Sequence, residues 1–287
     1  MANRDTRLIK TIGSQGLRRL RQATVAVVGE GSLGSQVTLL LAMSGVGNFI
    51  LVDPDKLEEH NISRHACDLR DAGRNKVDAV SDLIRSRNPD VSVSALALDA
   101  LTNSEVLALA DLVLVAGLGS EIVTRQLAMI LRQMRKPALF GGVYEKGVAG
   151  DIFYVDPNSD GPCFACIASR ISEMRPARDV AVNYGIMPDE LKAQPGLGAQ
   201  VGFIASPMAQ WTLRILIQDK RILCQVPGNC LVLANESYPY RTDDDGKPVF
   251  MRPNTTRWYD HARLEGCNVC SPLDGQQDLT LDDVLEI

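Results

Sequence analysis

Short apolar runs alternate with helix-length apolar and amphipathic stretches through the first half of the chain. The β-branched run Thr24–Gly29 leads through a glycine-rich turn into the apolar stretch Gln36–Ser44, an order typical of strand, turn and helix. Strands that alternate with helices form a parallel sheet with helices on both faces, so the fold class is α/β. The same alternation predicts strands at Asn48–Asp53, Val91–Leu98, Asp111–Ala116 and Ala138–Phe140, and helices at Lys76–Ser86 and Ile122–Met134.

The pattern changes after residue 141. Gly150–Val155 predicts an added strand, Phe203–Ile217 a helix and Cys230–Leu233 a further strand. Between them, Ile167–Gly198 is rich in charge, proline and glycine, which favours a loop or a mobile crossover. We expect this half of the chain to add an antiparallel extension to the sheet.

Length and composition favour one globular domain. The chain has 287 residues, of which 45% are hydrophobic and 23% charged, and its net charge is -5. The hydrophobic content excludes disorder for most of the chain. The net negative charge disfavours binding to nucleic acid or to an anionic membrane. The sequence shows neither a transmembrane run nor a secretory signal, so we expect a cytoplasmic protein. We assign residues 1–272 to a single domain, with halves at about 1–145 and 146–272, and residues 273–287 to an acidic tail.

The glycine-rich turn is a candidate nucleotide site. Its sequence, GEGSLG over residues 29–34, puts Gly29, Gly31 and Gly34 where the backbone can approach a phosphate at a helix N-terminus. Asp53 follows at the end of the second predicted strand, where a carboxylate can accept hydrogen bonds from ribose hydroxyls. Tight helix packing and a turn aspartate would give a similar pattern. Together the residues favour a nucleotide in a Rossmann-like sheet, without specifying which one.

Three polar residues downstream indicate which reaction the nucleotide takes part in. Asn61, Arg64 and Lys76 supply hydrogen-bond donors and positive charge for a triphosphate that is attacked at its α-phosphorus. A hydride-transfer site needs no such set, which disfavours a dehydrogenase. Each residue alone could be a surface group, with Asn61 acting as a helix cap.

Four of the seven cysteines form two Cys-x-x-Cys pairs, Cys163 with Cys166 and Cys267 with Cys270. Four thiolates fit tetrahedral zinc, and the long sequence gap between the pairs suits a structural clamp. Free or redox-active thiols are the alternative. The pattern predicts a C-terminal zinc-clamped segment.

These motifs together resemble the ThiF/MoeB/HesA family of adenylating enzymes, the prokaryotic relatives of ubiquitin-activating enzymes, over about residues 4–272. The family pattern is an N-terminal arginine, the glycine-rich turn, Asp with Asn-x-x-Arg, a helix-opening lysine and paired cysteines. In this chain it matches Arg7, Gly29–Gly34, Asp53, Asn61, Arg64, Lys76, Cys163, Cys166, Cys267 and Cys270.

The resemblance implies an ATP-dependent adenylyltransferase with ATP, Mg²⁺ and Zn²⁺ as cofactors. Such an enzyme activates the C-terminal carboxylate of a small ubiquitin-like or sulfur-carrier protein and releases pyrophosphate. A conjugating enzyme or a sulfurtransferase would be a further partner. The resemblance also implies a homodimer in which Arg7 reaches the ATP of the neighbouring subunit.

Two departures from the family pattern leave alternatives open. Ser120 and Glu121 stand where the family has an Asp-Asn pair whose aspartate holds magnesium; Glu121 could substitute for it from one position along, or Ser120 could bind the metal through water. Ile167–Gly198 lacks the cysteine found in thioester-forming relatives. We therefore expect the reaction to stop at the acyl-adenylate, with Cys67 as the remaining candidate nucleophile. A peptide-adenylating enzyme of the microcin type and a catalytically silent, nucleotide-binding scaffold are the alternative functions.

Overall fold

The molecule, a computed structural model, is described over residues 5–174, 196–219, 221, 223–243, 245 and 247–270. The helices are α1 (Thr6–Gln22), α2 (Ser32–Met43), α3 (Lys76–Arg87), α4 (Glu121–Gln133), α5 (Phe164–Met174) and α6 (Gly198–Ile217). The strands are β1 (Thr24–Val28), β2 (Asn48–Val52), β3 (Ser92–Leu96), β4 (Leu112–Ala116), β5 (Ala138–Val143), β6 (Ala149–Val155), β7 (Cys230–Ala234), β8 (Tyr238–Thr242), β9 (Pro248–Met251) and β10 (Thr255–Tyr259).

Eight of these strands form one sheet in the order β10-β7-β6-β5-β4-β1-β2-β3, and β8 pairs with β9 in a separate hairpin. Strands β1 to β5 run parallel, whereas β6, β7 and β10 pair antiparallel. This arrangement confirms the predicted α/β class, with its mostly parallel sheet and antiparallel extension.

The central strands are apolar because both of their faces are covered. In β1, Val25 and Val27 pack with residues of α1, α2, α3 and α6, while Ala26 and Val28 face the cluster that includes α4 and α5. Continuous apolar runs are what a strand covered on both sides requires. The core thus consists of two layers, one on each face of the sheet.

None of the helices in the described parts of the chain has the length and apolar character needed to cross a bilayer.

Several elements differ from the sequence prediction. α1 was not predicted, and it is kinked at Gly13, whose φ of 71° is outside the helical region. The expected loop over Ile167–Gly198 is wrong in its first part, because α5 continues to Met174 with Ile167 and Ile171 buried against the sheet. Residues 175–195 lie outside the described residues, as does the tail at 273–287. The hairpin β8–β9 and strand β10 were also not predicted.

The turn between β1 and α2 owes its shape to two of its three glycines. Gly29 has a φ of +91°, and a Cβ there would lie 2.9 Å from the carbonyl oxygen of Ala116. A Cβ on Gly34 would lie 1.8 Å from the carbonyl oxygen of Gly29, inside van der Waals contact. Gly31 has open space around its Cβ position and an ordinary φ of -75°. The fold therefore requires glycine at residues 29 and 34 but not at residue 31.

We predict that Gly34→Ala lowers the free energy of unfolding by about 3 kcal/mol, because its methyl group forces the turn away from α2. Gly31→Ala is the matched control and should cost about 1 kcal/mol or less, since only the helix N-cap preference changes. Denaturant unfolding of both variants measures the difference. Equal losses of stability would contradict the assigned geometry of the turn.

Candidate active site

The predicted nucleotide residues meet at the carboxyl edge of the parallel strands. β1 lies between β2 and β4 in the sheet. The chain therefore builds β2 and β3 on one side of β1 and then crosses to build β4 and β5 on the other side. Ligands of open α/β sheets bind in the crevice at such a point. The Gly29 N–H donates to the carbonyl oxygen of Val52 at 2.9 Å, which ties the turn after β1 to the end of β2.

The start of α2 presents unfilled backbone donors to this crevice. Gly31 is the N-cap residue and makes no side-chain capping hydrogen bond, since it has no side chain. The first N–H groups of a helix have no partner within the helix, and together with the helix dipole they favour an anion. The start of α2 is therefore suited to a phosphate.

Asp53 is buried and held rigidly at the end of β2. Its Oδ2 accepts a hydrogen bond from the Glu30 N–H at 2.7 Å, and its Oδ1 accepts one from the Asp55 N–H at 2.8 Å. Burial raises the pKa of Asp53, an effect that the charge of Lys76 partly offsets. The carboxylate has a fixed orientation beside the turn, as a group that recognises ribose hydroxyls needs.

Lys76 opens α3 and points its amine toward the same carboxylates. Its Nζ lies 2.7 Å from Asp55 Oδ2 and 3.9 Å from Asp53 Oδ1, and its side chain is 12% exposed. A cation held by two carboxylates beside an anion site can contact a phosphate once a nucleotide is bound. The structure thus brings Lys76 to Asp53, the residue predicted to contact the ribose.

The segment over residues 61–67 is fastened to the first turns of α2. Gln36 Nε2 donates to the carbonyl oxygen of Arg64 at 2.8 Å, and the Ala66 N–H donates to Ser35 Oγ at 3.2 Å. Arg64 is therefore held next to the glycine-rich turn. Asn61 Oδ1 accepts from the Glu58 N–H at 3.0 Å, so this side chain also caps the short 3₁₀ turn at Glu59–Asn61.

Sequence reasoning missed two residues that connect these segments. Glu30 is fully buried, its N–H bonds Asp53, and its carbonyl oxygen lies 2.8 Å from His65 Nε2. The Cys67 N–H donates to His65 Nδ1 at 3.1 Å, so Nε2 carries the proton and donates to Glu30. Burial lowers the pKa of His65, which favours this neutral form. An acid inside a glycine-rich turn was the only sequence signal for Glu30, and His65 gave none.

Ser120 and Glu121 lie at the carboxyl end of β4, where the sequence predicted magnesium contacts. Ser120 is the N-cap of α4, and its Oγ accepts from the Val123 N–H at 3.4 Å. Glu121 Oε1 forms an ion pair with Arg125 Nη2 at 2.7 Å. The hydroxyl of Ser120 thus caps the helix, and the carboxylate of Glu121 is paired with Arg125. Magnesium binding by these two residues stays a prediction.

Arg7 lies on the other side of the molecule. It is exposed in the first turn of α1, and its neighbour Leu8 packs at Gly45, between the end of α2 and the start of β2. That position is the amino edge of the parallel strands, opposite the glycine-rich turn. Within one chain, Arg7 therefore does not join the other site residues.

The four paired cysteines meet in a separate cluster. The Sγ distances are 3.7 Å for Cys163–Cys166, 3.8 Å for Cys163–Cys267 and 3.5 Å for Cys166–Cys270. Zinc–sulfur bonds of about 2.3 Å in a tetrahedron place sulfurs about 3.8 Å apart, so the cluster fits one zinc ion. Asn158 precedes the cluster in sequence, and its Nδ2 donates to the carbonyl oxygen of Arg135 at 3.1 Å. Because Arg135 lies just before the start of β5, the chain segment that leads to the cluster lies at the amino edge of the sheet.

The remaining thiol candidate does not suit nucleophilic chemistry. Cys67 is 5% exposed, and burial together with the nearby carboxylate of Asp71 raises its pKa to about 12. The thiolate is the reactive form of cysteine, and a thiol with this pKa is protonated at neutral pH. Cys67 therefore packs in the core.

Several known proteins are similar to this chain in sequence. SAMP-activating enzyme E1 of Haloferax volcanii is 29% identical over 248 residues, which cover 83% of this chain and 84% of that protein. Sulfur carrier protein adenylyltransferase of Thermus thermophilus is 29% identical over 166 residues, covering 56% of this chain and 60% of that protein. Ubiquitin-like modifier-activating enzyme 5 of Bombyx mori is 27% identical over 70% of this chain, which spans only 52% of that longer protein.

The fold is similar to that of a solved structure, E. coli MccB with ATP. The TM-score is 0.69 at 19% identity, and the match covers 94% of this chain and 75% of that chain. A family model described as the ThiF family matches residues 3–237, a range that includes the glycine-rich turn, Asp53 and Lys76. The chain belongs to the ThiF family.

Proposed function

We propose that this protein is an ATP-dependent adenylyltransferase that activates the C-terminal carboxylate of a small ubiquitin-like or sulfur-carrier protein. The observation that carries the proposal is the grouping of Asp53, Lys76 and the Arg64 segment around the uncapped start of α2. This grouping offers one acceptor for ribose and several donors for phosphates. The names of the relatives in Haloferax volcanii and Thermus thermophilus support the same reaction class.

The proposed reaction forms one bond and breaks another at the α-phosphorus of ATP. A carboxylate oxygen of the carrier attacks this phosphorus, the bond to the bridging oxygen of the β-phosphate breaks, and pyrophosphate leaves. Negative charge develops on the transferred and departing phosphates. Arg64, Lys76, the amide of Asn61 and the N–H groups of α2 are the donors proposed to stabilise it.

Magnesium enters this proposal with the triphosphate, because Mg²⁺ in such sites is held by substrate phosphates, water and one or two carboxylates. Glu121 is the proposed carboxylate, and Ser120 contributes through water. A catalytically silent scaffold is the outcome expected if neither supports the metal.

The acyl-adenylate is proposed to be the final product on this chain. None of the seven cysteines forms a disulfide, which suits a cytoplasmic location. Four of them fit a metal cluster, Cys67 and Cys230 are buried, and the exposed Cys224 follows α6, whose last residue Ile217 accepts a hydrogen bond from Arg19 of α1 at the amino edge. A nucleophile on a conjugating enzyme or a sulfurtransferase would then take the acyl group.

A homodimer is proposed because Arg7 lies at the edge of the sheet opposite the nucleotide turn. An exposed arginine at the start of α1 could reach a phosphate only in a neighbouring subunit. The zinc ion is proposed to be structural, since four thiolates fill a tetrahedral site and leave no position for a substrate.

We predict that the protein catalyses exchange of pyrophosphate into ATP only when a carrier protein with a free C-terminus is present. Asp53→Ala and Lys76→Ala should each lower the exchange rate by about 10²–10³-fold, since each removes a contact to the nucleotide. Asp111→Ala is the matched control, because Asp111 also accepts a backbone N–H, from Thr24 at 2.7 Å, but lies at the amino edge.

Exchange supported by short peptides but not by folded carriers would favour the peptide-adenylating alternative. Exchange at the normal rate in either site variant would contradict the nucleotide assignment. No exchange with any acceptor, together with retained ATP binding, would identify a silent scaffold.

We predict one zinc ion per chain and a lower melting temperature after chelation, because structural zinc contributes folding free energy directly. Cys267→Ser should abolish zinc binding and destabilise the fold. Cys224→Ser is the control, since this exposed cysteine lies outside the cluster and should leave the zinc content unchanged. A metal-free protein with the same stability would rule out the clamp.

We predict that subunits carrying Arg7→Ala and subunits carrying Asp53→Ala are each inactive alone but recover part of the activity in a mixed dimer. One site of that dimer combines an intact Arg7 with an intact Asp53. Lys10→Ala, which removes another exposed cation of α1, is the control and should be active by itself. An inactive mixed dimer of verified composition would show that the site is not shared.

A further inference from the structure

Glu30 is an acid in an unusual environment. Its side chain is fully buried, its Oε1 accepts a hydrogen bond from Thr38 Oγ1 at 2.9 Å, and its Oε2 has no hydrogen-bond partner among the described residues. No lysine, arginine or histidine of the described chain forms an ion pair with it. A buried carboxylate without a cation is strongly disfavoured, so the neutral acid is the form that fits this position.

The surroundings of Glu30 favour the same neutral form. Burial raises its pKa well above the ordinary value, and the nearby carboxylate of Asp53 adds to the effect. His65 and Cys67 of the 61–67 segment are further titratable groups beside it, and the amine of Lys76, at the start of α3, is directed to Asp53 and Asp55. None of them supplies a charge that would pair with an ionised Glu30.

The backbone of Glu30 is hydrogen-bonded to two separate parts of the site. Its N–H fixes Asp53 Oδ2 at 2.7 Å, and its carbonyl oxygen accepts from His65, which in turn bonds the N–H of Cys67. A small displacement of this one residue would therefore move both the carboxylate proposed for ribose and the segment that holds Arg64. The geometry of both depends on where the side chain of Glu30 is anchored.

Thr38 supplies that anchor from the second turn of α2. Thr38 is itself fully buried, and its hydrogen bond spans eight residues of sequence, from the helix back to the turn. Rotation of Glu30 toward solvent would break this bond and expose the space that its side chain fills. The side chain thus locks the turn onto the helix that follows it.

We propose that Glu30 is a positioning residue of the nucleotide site, whose anchored side chain holds Asp53 in the orientation that recognises ribose. The proposal deepens the proposed function and rests on it, because it assumes that Asp53 binds the ribose hydroxyls. Glu30 itself touches neither substrate nor reacting atoms. Its removal should therefore change the discrimination between nucleotides with and without these hydroxyls.

The test compares the dissociation constants of ATP and 2′,3′-dideoxy-ATP for the full-length protein. The wild type should bind ATP about tenfold more tightly, the size expected for hydrogen bonds to a carboxylate. Glu30→Ala should lower this ratio to about one or two, because Asp53 loses its fixed orientation. Glu30→Gln, a neutral residue of the same shape that keeps an acceptor for Thr38, should restore the ratio to within about twofold of the wild type.

Two further variants keep the test independent of stability. Ser81→Ala alters another buried polar side chain, on α3, whose hydroxyl has no partner among the described residues, and it should leave the ratio unchanged. Thr38→Val removes the anchor while Glu30 stays in place, and it should lower the ratio as Glu30→Ala does. It decides the question if Glu30→Ala fails to fold.

The outcomes distinguish the positioning role of Glu30 from the ribose contact of Asp53 on which it rests. A normal ratio in Glu30→Ala or Thr38→Val, with a ratio near one in Asp53→Ala, overturns the positioning role of Glu30 and leaves the nucleotide site intact. A ratio in Asp53→Ala equal to that of the wild type overturns the ribose contact and the positioning role together. A ratio lowered equally in Ser81→Ala means that Glu30 acts only on stability, which also overturns the proposal.

Discussion

The site depends on one chain of hydrogen bonds that crosses three separate segments. Asp53 at the end of β2 bonds the N–H of Glu30 after β1, and the carbonyl oxygen of Glu30 bonds His65 in the segment that follows. Each partner is buried, so water cannot replace these bonds, and an unmatched buried donor or acceptor would cost about 1–3 kcal/mol. Because Gly29 and Gly34 allow the turn to pack closely, the donors of α2 and the carboxylate of Asp53 stay in a fixed relation.

The candidate nucleotide site and the cysteine cluster lie at opposite edges of the sheet. The residues proposed to bind the nucleotide follow the carboxyl ends of β1, β2 and β4, whereas the cysteine cluster and Arg7 lie at the amino edge. The cysteine cluster there joins the region after β6 to the region after β10 without approaching the proposed reaction. The same separation explains why Arg7, if it contacts ATP, must do so from another subunit.

The sequence predicted the parts of the fold that depend on local pattern. Buried parallel strands read as apolar runs, and both cysteine pairs are visible from their spacing, so the central sheet and the cluster could be found. α1 was missed because its kink at Gly13 interrupts the helical period, and α5 because the charged residues after it suggested a loop. The link from Glu30 to His65 could not be predicted, since it joins residues 35 apart through a backbone carbonyl and leaves no pattern in the sequence.

A crystal structure with a non-hydrolysable ATP analogue and magnesium tests the central claim most directly. The account predicts ribose hydroxyls on the carboxylate of Asp53, phosphates at the start of α2, and Lys76 turned from Asp55 toward the phosphates. It also predicts that Glu30 keeps its hydrogen bonds to Asp53, His65 and Thr38 in the complex. A nucleotide bound elsewhere on the sheet, or bound with Asp53 directed away from the ribose, would contradict it.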